Sequence, residues 1–364
     1  MIEYIYVFIS GFLLTTILTL LALRYSQNNL LDKPNKRSSH NISTPTGGGI
    51  SMVLVSLVGL LILYHLELIA LLNWIPLLLS ALVLSLVSYY DDHLSISVKV
   101  RIIVHIICSV VILIFFTKFP SINVGFFQID SEVLRFLFGI LLITWLLNLF
   151  NFMDGTDGLV SVEALFTHFS ILLFIFFVSF EEKVTSLRLF NEYLLLSLLL
   201  ISSILGFLIW NWPKAKIFMG DVGSSFLGLF TAALGIFVVN LGWINIWTFL
   251  ILLGAFISDS TVTLIVRIFT KQKWHAAHNS HTYQKIAYAL ESIYKKDKDL
   301  SRTLSHRYLC YLLTLLNILW LAPLALLSLF FEEKGLFILV IAYAPLLYIS
   351  YKYKAGIAVN KVSQ

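Results

Sequence analysis

Polar residues in this chain fall in clusters, and between the clusters the sequence is almost continuously apolar. A hydrocarbon core is crossed by about 20 apolar residues in helical form. Eleven segments fit that description: Ile2–Leu23, Gly49–Tyr64, Ile69–Tyr90, Val98–Phe116, Val133–Phe150, Val160–Phe180, Tyr193–Trp210, Gly223–Val239, Ile246–Phe269, Tyr308–Phe331 and Leu336–Tyr351. The second and fourth are short, with polar flanks. No repeat of 20–50 residues and no low-complexity tract divides the chain. The pattern therefore predicts an all-α, polytopic integral membrane protein of about 11 transmembrane helices. It also predicts a single domain over residues 1–364, with a cytoplasmic loop at about 270–307. The first apolar run has no basic n-region and no small-residue cleavage site, so it reads as a retained span and not a signal peptide.

Composition sharpens this reading. Of 364 residues, 59% are hydrophobic and only 12% charged, and a soluble domain would carry about twice that charge. Mean hydropathy is +0.90. The net charge of +5 matters less than where the cations sit. Loops after odd-numbered spans, with the C-terminal tail, hold 17 of the 25 Lys and Arg, and the even loops hold four. The excess marks the odd loops as cytoplasmic, with the N-terminus outside and the C-terminus inside. Cys108 and Cys310 both lie in apolar runs, which suggests neither a disulfide framework nor a thiolate metal site.

Every cluster with chemical character falls in an odd loop. The central one is Asn148-Leu-Phe-Asn151-Phe-Met-Asp154-Gly-Thr-Asp157-Gly-Leu, between two long apolar runs. Its four polar residues recur every third position and are expected along one side of a helical path. The Asp-Gly steps let the backbone leave the helix with carboxylates at its mouth. Asp91 and Asp92 end the third span, where the helix dipole is negative and adjacent carboxylates repel. Lys99 and Arg101 in the next span could supply some charge, but a divalent metal or reacting phosphate is the better explanation. Lys216-Ile-Phe218-Met-Gly-Asp221 places an aromatic next to a carboxylate, which suits a nucleobase stacked over a metal-bound diphosphate. Asp221 also has the position of a helix cap.

Two loops offer phosphate donors. The first contains Arg37, Ser38, Ser39 and His40 and then the triplet Gly47-Gly48-Gly49. Glycines at a helix start let backbone N–H groups approach an anion, or let helices pack closely. The fifth carries His275, His278 and His281, at i, i+3 and i+6, amid eight Lys and Arg. Three histidines on one helix face would suit zinc, but the many aspartates favour a hard metal with the imidazoles as phosphate donors. A basic segment lying on anionic lipid is the bland alternative. His65, His93, His105, His168 and His306 stand alone and suggest no role. A transporter is disfavoured because the carboxylates cluster at one membrane face and the halves do not match. A zinc-dependent intramembrane hydrolase remains the other alternative class.

Asp91-Asp92, Asn148-x-x-Asn151-x-x-Asp154-Gly-x-Asp157-Gly-Leu, Phe218-Met-Gly-Asp221-Val-Gly-Ser and the histidine loop together resemble the polyprenyl-phosphate N-acetylhexosamine-1-phosphate transferases, glycosyltransferase family 4. The resemblance spans roughly residues 28–285. It implies transfer of a sugar 1-phosphate from a UDP-N-acetylhexosamine to undecaprenyl phosphate, with release of UMP and a requirement for Mg2+ or Mn2+. It makes Asp221 the main metal ligand, with Asp92 beside it, and Phe218 the uracil platform. Asn148, Asn151, Asp154 and Asp157 line the nucleotide side, and Asp91 and Asp92 face the lipid phosphate. His275, His278 and His281 hold the sugar and diphosphate, with Arg37, Ser38, His40 and Lys216 as further substrate contacts. Asp91, Asp92, Asp154, Asp157 and His278 carry the chemistry.

The partners implied are the UDP-sugar, undecaprenyl phosphate and membrane lipid, without nucleic acid, and a homodimer stays open. The Arg37-Ser-Ser-His opening and the His-x-x-His-x-x-His-x-Tyr-Gln loop look like the branch priming O-antigen and other surface polysaccharides at a bacterial cytoplasmic membrane. Thr46 stands where that branch has Arg before the glycine triplet, which points to a different sugar preference.

Overall fold

A computed structural model describes residues 2–32, 43–94, 96–179, 186–273, 278–293 and 298–357. The predicted all-α membrane architecture is what it shows. In chain order the helices are α1 (Ile2–Asn29), α2 (Ile50–His65), α3 (Leu71–Leu94), α4 (Val98–Val111), α5 (Glu132–Met153), α6 (Leu159–Ser179), α7 (Leu187–Asn211) and α8 (Gly220–Asn240). They continue as α9 (Ile246–Leu252), α10 (Gly254–Phe269), α11 (Thr282–Ile293), α12 (Lys298–Leu316), α13 (Ala322–Phe330) and α14 (Gly335–Lys352). Wider π-helical turns at Ile112–Phe116 and Asn317–Leu321 extend α4 and join α12 to α13.

Among the described residues nine helices are long and apolar enough to cross a membrane, and α9 with α10 makes a tenth if that pair, bent by 76°, is one span. The predicted segment Gly49–Tyr64 forms α2, which at 16 residues is the short member. Its length, about 24 Å at 1.5 Å per residue, falls below a full hydrocarbon crossing.

The bundle is organised on α8, which is apolar all round and buried along its whole length. Helices α3 and α5 pack along it. Its first turn meets the start of α2 at a close crossing. A Cβ added to Gly49 would lie 2.3 Å from Gly223 Cα, so only glycine on both sides permits the approach.

A short hairpin, β1 (Leu31–Asp32) with β2 (Thr44–Pro45), leads into this crossing. The chain then runs beside Phe218 and Met219, whose carbonyls accept from the Gly48 and Gly49 N–H groups at 2.9 Å each. Those two amides are thus committed to joining α2 to α8. Of the two readings of the glycine triplet, close packing is what the structure shows for Gly48 and Gly49.

Some buried polar groups gather several partners at once, which offsets the cost of an apolar interior. Glu192 of α7 is one example: it accepts from Trp74 Nε1 at 2.9 Å, Ala70 N at 3.1 Å and Asn73 Nδ2 at 3.3 Å, anchoring the start of α3.

Candidate active site

Three helix ends and one helix start meet at the same end of the bundle. The C-terminal ends of α3, α5 and α7 bring Asp91 with Asp92, Asp154 and Asn211, while α8 starts there with Asp221 in its first turn. Between them lies a cavity of about 450 Å³, lined by Asp32, Thr46, Asp92, Asp154, Asp157, Phe218, Asp221 and Gln284 among others. Five carboxylates on one wall would repel each other strongly without compensation. The structure supplies compensation for some of them and withholds it from one.

Asp221 is held from two sides. Asn151 Nδ2 donates to its Oδ1 at 2.7 Å, and Arg101 Nη1 lies 3.5 Å from its Oδ2. The same Arg101 nitrogen is 3.1 Å from Asp91 Oδ2, while the Ile96 N–H donates to Asp91 Oδ1 at 2.7 Å. Asp91 therefore stands behind the cavity wall with both oxygens engaged. The charge beside it that the sequence assigned to a metal or a phosphate comes, for this residue, from α4. Asp92 points to the start of α8 and accepts from the Asp221 N–H at 3.4 Å, an acidic group at the positive end of a helix dipole. Gly220, at φ +73°, makes that turn, and a Cβ there would press on Asp92 Oδ2 at 3.1 Å.

Asp154 and Asp157 share a loop and have opposite electrostatics. Burial, followed by the nearby charges of Asp221, Asp92 and Asp157, pushes the Asp154 carboxyl well above the usual carboxylate range. Among the described residues nothing donates a hydrogen bond to it. Burial opposes ionisation of Asp157 too, but His306 Nδ1 at 3.3 Å and the Ala215 N–H at 3.1 Å outweigh it and hold this carboxyl below its ordinary value. The loop itself is pinned by Asn211, whose Oδ1 accepts from Gly158 N at 2.9 Å while its Nδ2 donates to the Ile217 carbonyl at 3.0 Å.

The fifth loop folds back onto α5 and α10. His281 is buried, with Nδ1 3.2 Å from Asp259 Oδ1, and Asp259 also accepts the Thr282 and Tyr283 N–H groups at 2.9 and 2.8 Å, capping α11. The His278 ring stacks on His281, with centroids 4.8 Å apart. Tyr283 Oη donates to the Phe152 carbonyl at 3.1 Å, which ties the loop to the end of α5. His278 and His281 precede α11, so they share a turn and not the helix face expected from their spacing.

Several expected residues stand elsewhere. Asn148 does not reach the cavity: its amide donates to the Thr144 carbonyl at 2.7 Å and lies 3.2 Å from His105 Nδ1. A period of three falls about 60° short of a helical turn at each step, so Asn148 has rotated away from Asn151 and Asp154. Lys216 is exposed, with Nζ 4.9 Å from the centroid of the Trp210 ring, and is not on the cavity wall. Arg37, Ser38, His40 and His275 lie outside the described residues. The residues missed from sequence are Asp259, His306 and Gln284. They sit inside apolar or basic runs; Asp259 and His306 show their roles only through partners distant in the chain, and Gln284 only by its place on the cavity wall.

The donor set fits a hard divalent cation. Asp92, Asp154 and Asp221 present carboxylate oxygens to one cavity, and one of them has no donor of its own. No three His, Cys, Asp or Glu side chains among the described residues close around a single point, so the protein alone would supply few of an ion's ligands.

Residues 74–239 match the profile described as Glycosyl transferase family 4, the stretch that carries Asp91, Asp92, Asn151, Asp154, Asp157, Phe218 and Asp221. The chain is 29% identical to a Bacillus subtilis protein named probable undecaprenyl-phosphate N-acetylglucosaminyl 1-phosphate transferase, over 79% of this chain and 78% of that one. It is 26% identical to the undecaprenyl-phosphate alpha-N-acetylglucosaminyl 1-phosphate transferase of Thermotoga maritima, over 76% of this chain and 78% of that one. A phospho-N-acetylmuramoyl-pentapeptide-transferase of Endomicrobium trichonymphae is 30% identical over 65% of this chain and 70% of its own length. With its motifs gathered at one end of a membrane bundle, and with these relatives, the chain belongs to glycosyl transferase family 4.

Proposed function

We propose that this protein transfers N-acetylhexosamine 1-phosphate from a UDP-sugar to undecaprenyl phosphate and releases UMP, at the cytoplasmic face of a bacterial inner membrane. The observation that carries the proposal is the wall shared by Asp92, Asp154, Asp221 and Phe218, four side chains from three separate segments around one cavity. The Lys and Arg excess in the loops at this end supports the cytoplasmic assignment.

The acceptor phosphate, with a second pKa of about 6, is largely dianionic at neutral pH and needs no strong base. One of its oxygens attacks the phosphorus that bears the sugar. A new P–O bond forms there, the bond from that phosphorus to the bridging oxygen breaks, and UMP leaves with the electron pair. The obstacle is repulsion, about 4 kcal/mol for each pair of unit charges 4 Å apart at an effective dielectric near 20.

Asp221 and Asp92 would hold Mg2+ or Mn2+, which would supply neutralisation of diphosphate charge and stabilisation of the leaving group. Few protein ligands with substrate phosphates and waters completing the shell is the coordination magnesium favours. Asn151 and Arg101 orient Asp221. Phe218 offers a stacking face to uracil. His278, braced by His281, donates to phosphate.

The N-acetylhexosamine choice rests on the names of two relatives, and the priming of an O-antigen-like surface polysaccharide on the spaced histidines alone. The test is incubation of membranes with undecaprenyl phosphate and a panel of radiolabelled UDP-N-acetylhexosamines. Lipid-linked product and UMP in equal amounts are expected for at least one donor. Product from no donor, with the protein folded and Mg2+ present, overturns the proposal.

A further inference from the structure

At the other end of α8, about 30 Å from the catalytic cavity along a 21-residue helix, a second polar cavity of about 470 Å³ opens. It is bounded by Arg135 of α5, Asn240 at the end of α8, Asn245 and Ile246 at the start of α9, Ser121, and Glu332 after α13. Nothing in the proposed reaction uses it.

Arg135 is the unusual group there. A guanidinium carries five N–H donors, yet this one makes a single long hydrogen bond, Nη1 to the Phe119 carbonyl at 3.5 Å, and forms no ion pair among the described residues. Its Nε is sealed from solvent with no acceptor. A half-buried, unpaired guanidinium is costly, and arginine is suited to bidentate recognition of phosphate. The Asn240 and Ser121 side chains also have no partner among the described residues, whereas Asn245 is already committed, its Nδ2 donating to the Ser328 carbonyl at 2.7 Å. Glu332, exposed on the same wall, adds one negative charge. Donors for an anion and an acceptor for a cation therefore face one space.

The surroundings indicate what kind of molecule carries both charges. Phe126, 85% exposed at the tip of a second short hairpin (Ile122–Asn123 paired with Gln128–Ile129), Phe127 and Phe331 display aromatic rings at this end, as expected at a membrane interface. Beside the polar cavity runs an apolar one of about 400 Å³, lined by Phe138, Leu141, Trp145 and Trp247 among others, and Ile246 belongs to the walls of both. A molecule with its charged end in the first has an apolar path alongside it.

We infer that this cavity binds the headgroup of a zwitterionic aminophospholipid, at the membrane face opposite the catalytic cavity. The phosphodiester lies on Arg135 and the primary ammonium on Glu332. Phosphatidylethanolamine has both groups. Phosphatidylglycerol lacks the ammonium, and the quaternary nitrogen of phosphatidylcholine has no N–H to donate to a carboxylate.

The test uses the full chain, purified in detergent, delipidated and titrated with short-chain phosphatidylethanolamine, phosphatidylglycerol or phosphatidylcholine. Glycerophosphoethanolamine and inorganic phosphate serve as arms without chains, and bound molecules are counted by native mass spectrometry. Phosphatidylethanolamine is expected to bind about tenfold more tightly than either other lipid, the worth of one charge-assisted hydrogen bond. Arg135→Gln is expected to lose about that factor for every lipid, and Glu332→Gln to lose the preference for phosphatidylethanolamine over phosphatidylglycerol.

Equal binding of the three lipids, or both variants binding like the wild type, overturns the inference. Inorganic phosphate binding as tightly as phosphatidylethanolamine also overturns it, in favour of a simple anion site. Glu332 is exposed and its substitution leaves the bundle intact, so the headgroup preference is readable even if Arg135→Gln fails to fold.

Discussion

Asp259 and His281 meet inside the protein, with Oδ1 3.2 Å from Nδ1. The carboxylate of α10 thereby fixes the ring of a loop residue, and the ring is the surface on which His278 stacks. Since Asp259 also caps α11 through two N–H groups, it links the middle of a bent span to the fifth loop. Replacing it with leucine removes the acceptor from His281 Nδ1, the Thr282 and Tyr283 N–H groups and Thr263 Oγ1, four donors at once. Asp259→Leu is expected to lower kcat/KM for the UDP-sugar by about 10- to 100-fold, through misplacement of His278. Asp259→Glu should recover part of the loss. Steady-state kinetics on reconstituted enzyme check this, and wild-type values for Asp259→Leu would remove the histidine loop from the site.

Phe218 lines the cavity, and its backbone is fixed by the Pro45 carbonyl, which accepts from Phe218 N at 2.8 Å. Truncating the ring leaves that backbone bond intact and removes the stacking face. Phe218→Ala should raise KM for the UDP-sugar by about 5- to 100-fold, since base stacking on an aromatic is worth about 1–3 kcal/mol. The turnover number should change little. A fall in kcat at unchanged KM would place the ring near the reacting phosphorus and not under the base.

These contacts mark where local pattern carries information. Asp92, Asp154, Asp157 and Asp221 are legible because each sits at or just beyond a helix end, the last three next to glycines, where an apolar run has no other use for a carboxylate. The helical architecture is legible because an apolar environment leaves few other ways to satisfy a spanning backbone. Asp259 and His306 are different. Asp259 lies within the apolar run Ile246–Phe269, and its partner comes 22 residues later. His306 acts on Asp157 across 149 residues. Asn148 was misplaced by a spacing of three that looks periodic but drifts around a helix, and Lys216 by a neighbouring indole that no charge count reveals. Tertiary packing decides all four.

The Asp157–His306 contact has a consequence for pH. Asp157 titrates below its ordinary value of about 3.9 in the folded protein. Its ionised form therefore stabilises the fold above that ordinary value, and the contribution is lost as pH falls through the lower folded value. In His306→Leu the opposing effect of burial is left to dominate, and the carboxyl moves upward. The stability gap between variant and wild type should be smallest below the lowered Asp157 value and widen as pH rises from there toward 7, to about 1–3 kcal/mol. Thermal melts across that range decide it. A gap that is constant with pH would mean His306 acts through packing alone.

Arg101 stands between two carboxylates, 3.1 Å from Asp91 and 3.5 Å from Asp221. It orients both, yet it also cancels negative charge exactly where a divalent cation is proposed to bind, so its removal pulls in two directions. Without the guanidinium the wall becomes more negative, and attraction for a cation rises. Solvent screening limits the gain, because Arg101 is partly exposed. The same substitution frees Asp221 to turn away from the geometry that Asn151 and Arg101 jointly impose. Arg101→Gln should therefore lower the Mg2+ concentration for half-maximal activity roughly threefold and reduce kcat about tenfold. Enzyme stripped with a chelator and titrated with Mg2+ gives both values. Unchanged half-saturation with lower kcat would leave Arg101 as an orienting group remote from the ion. A raised half-saturation would mean that the carboxylates need the arginine to converge on the metal at all.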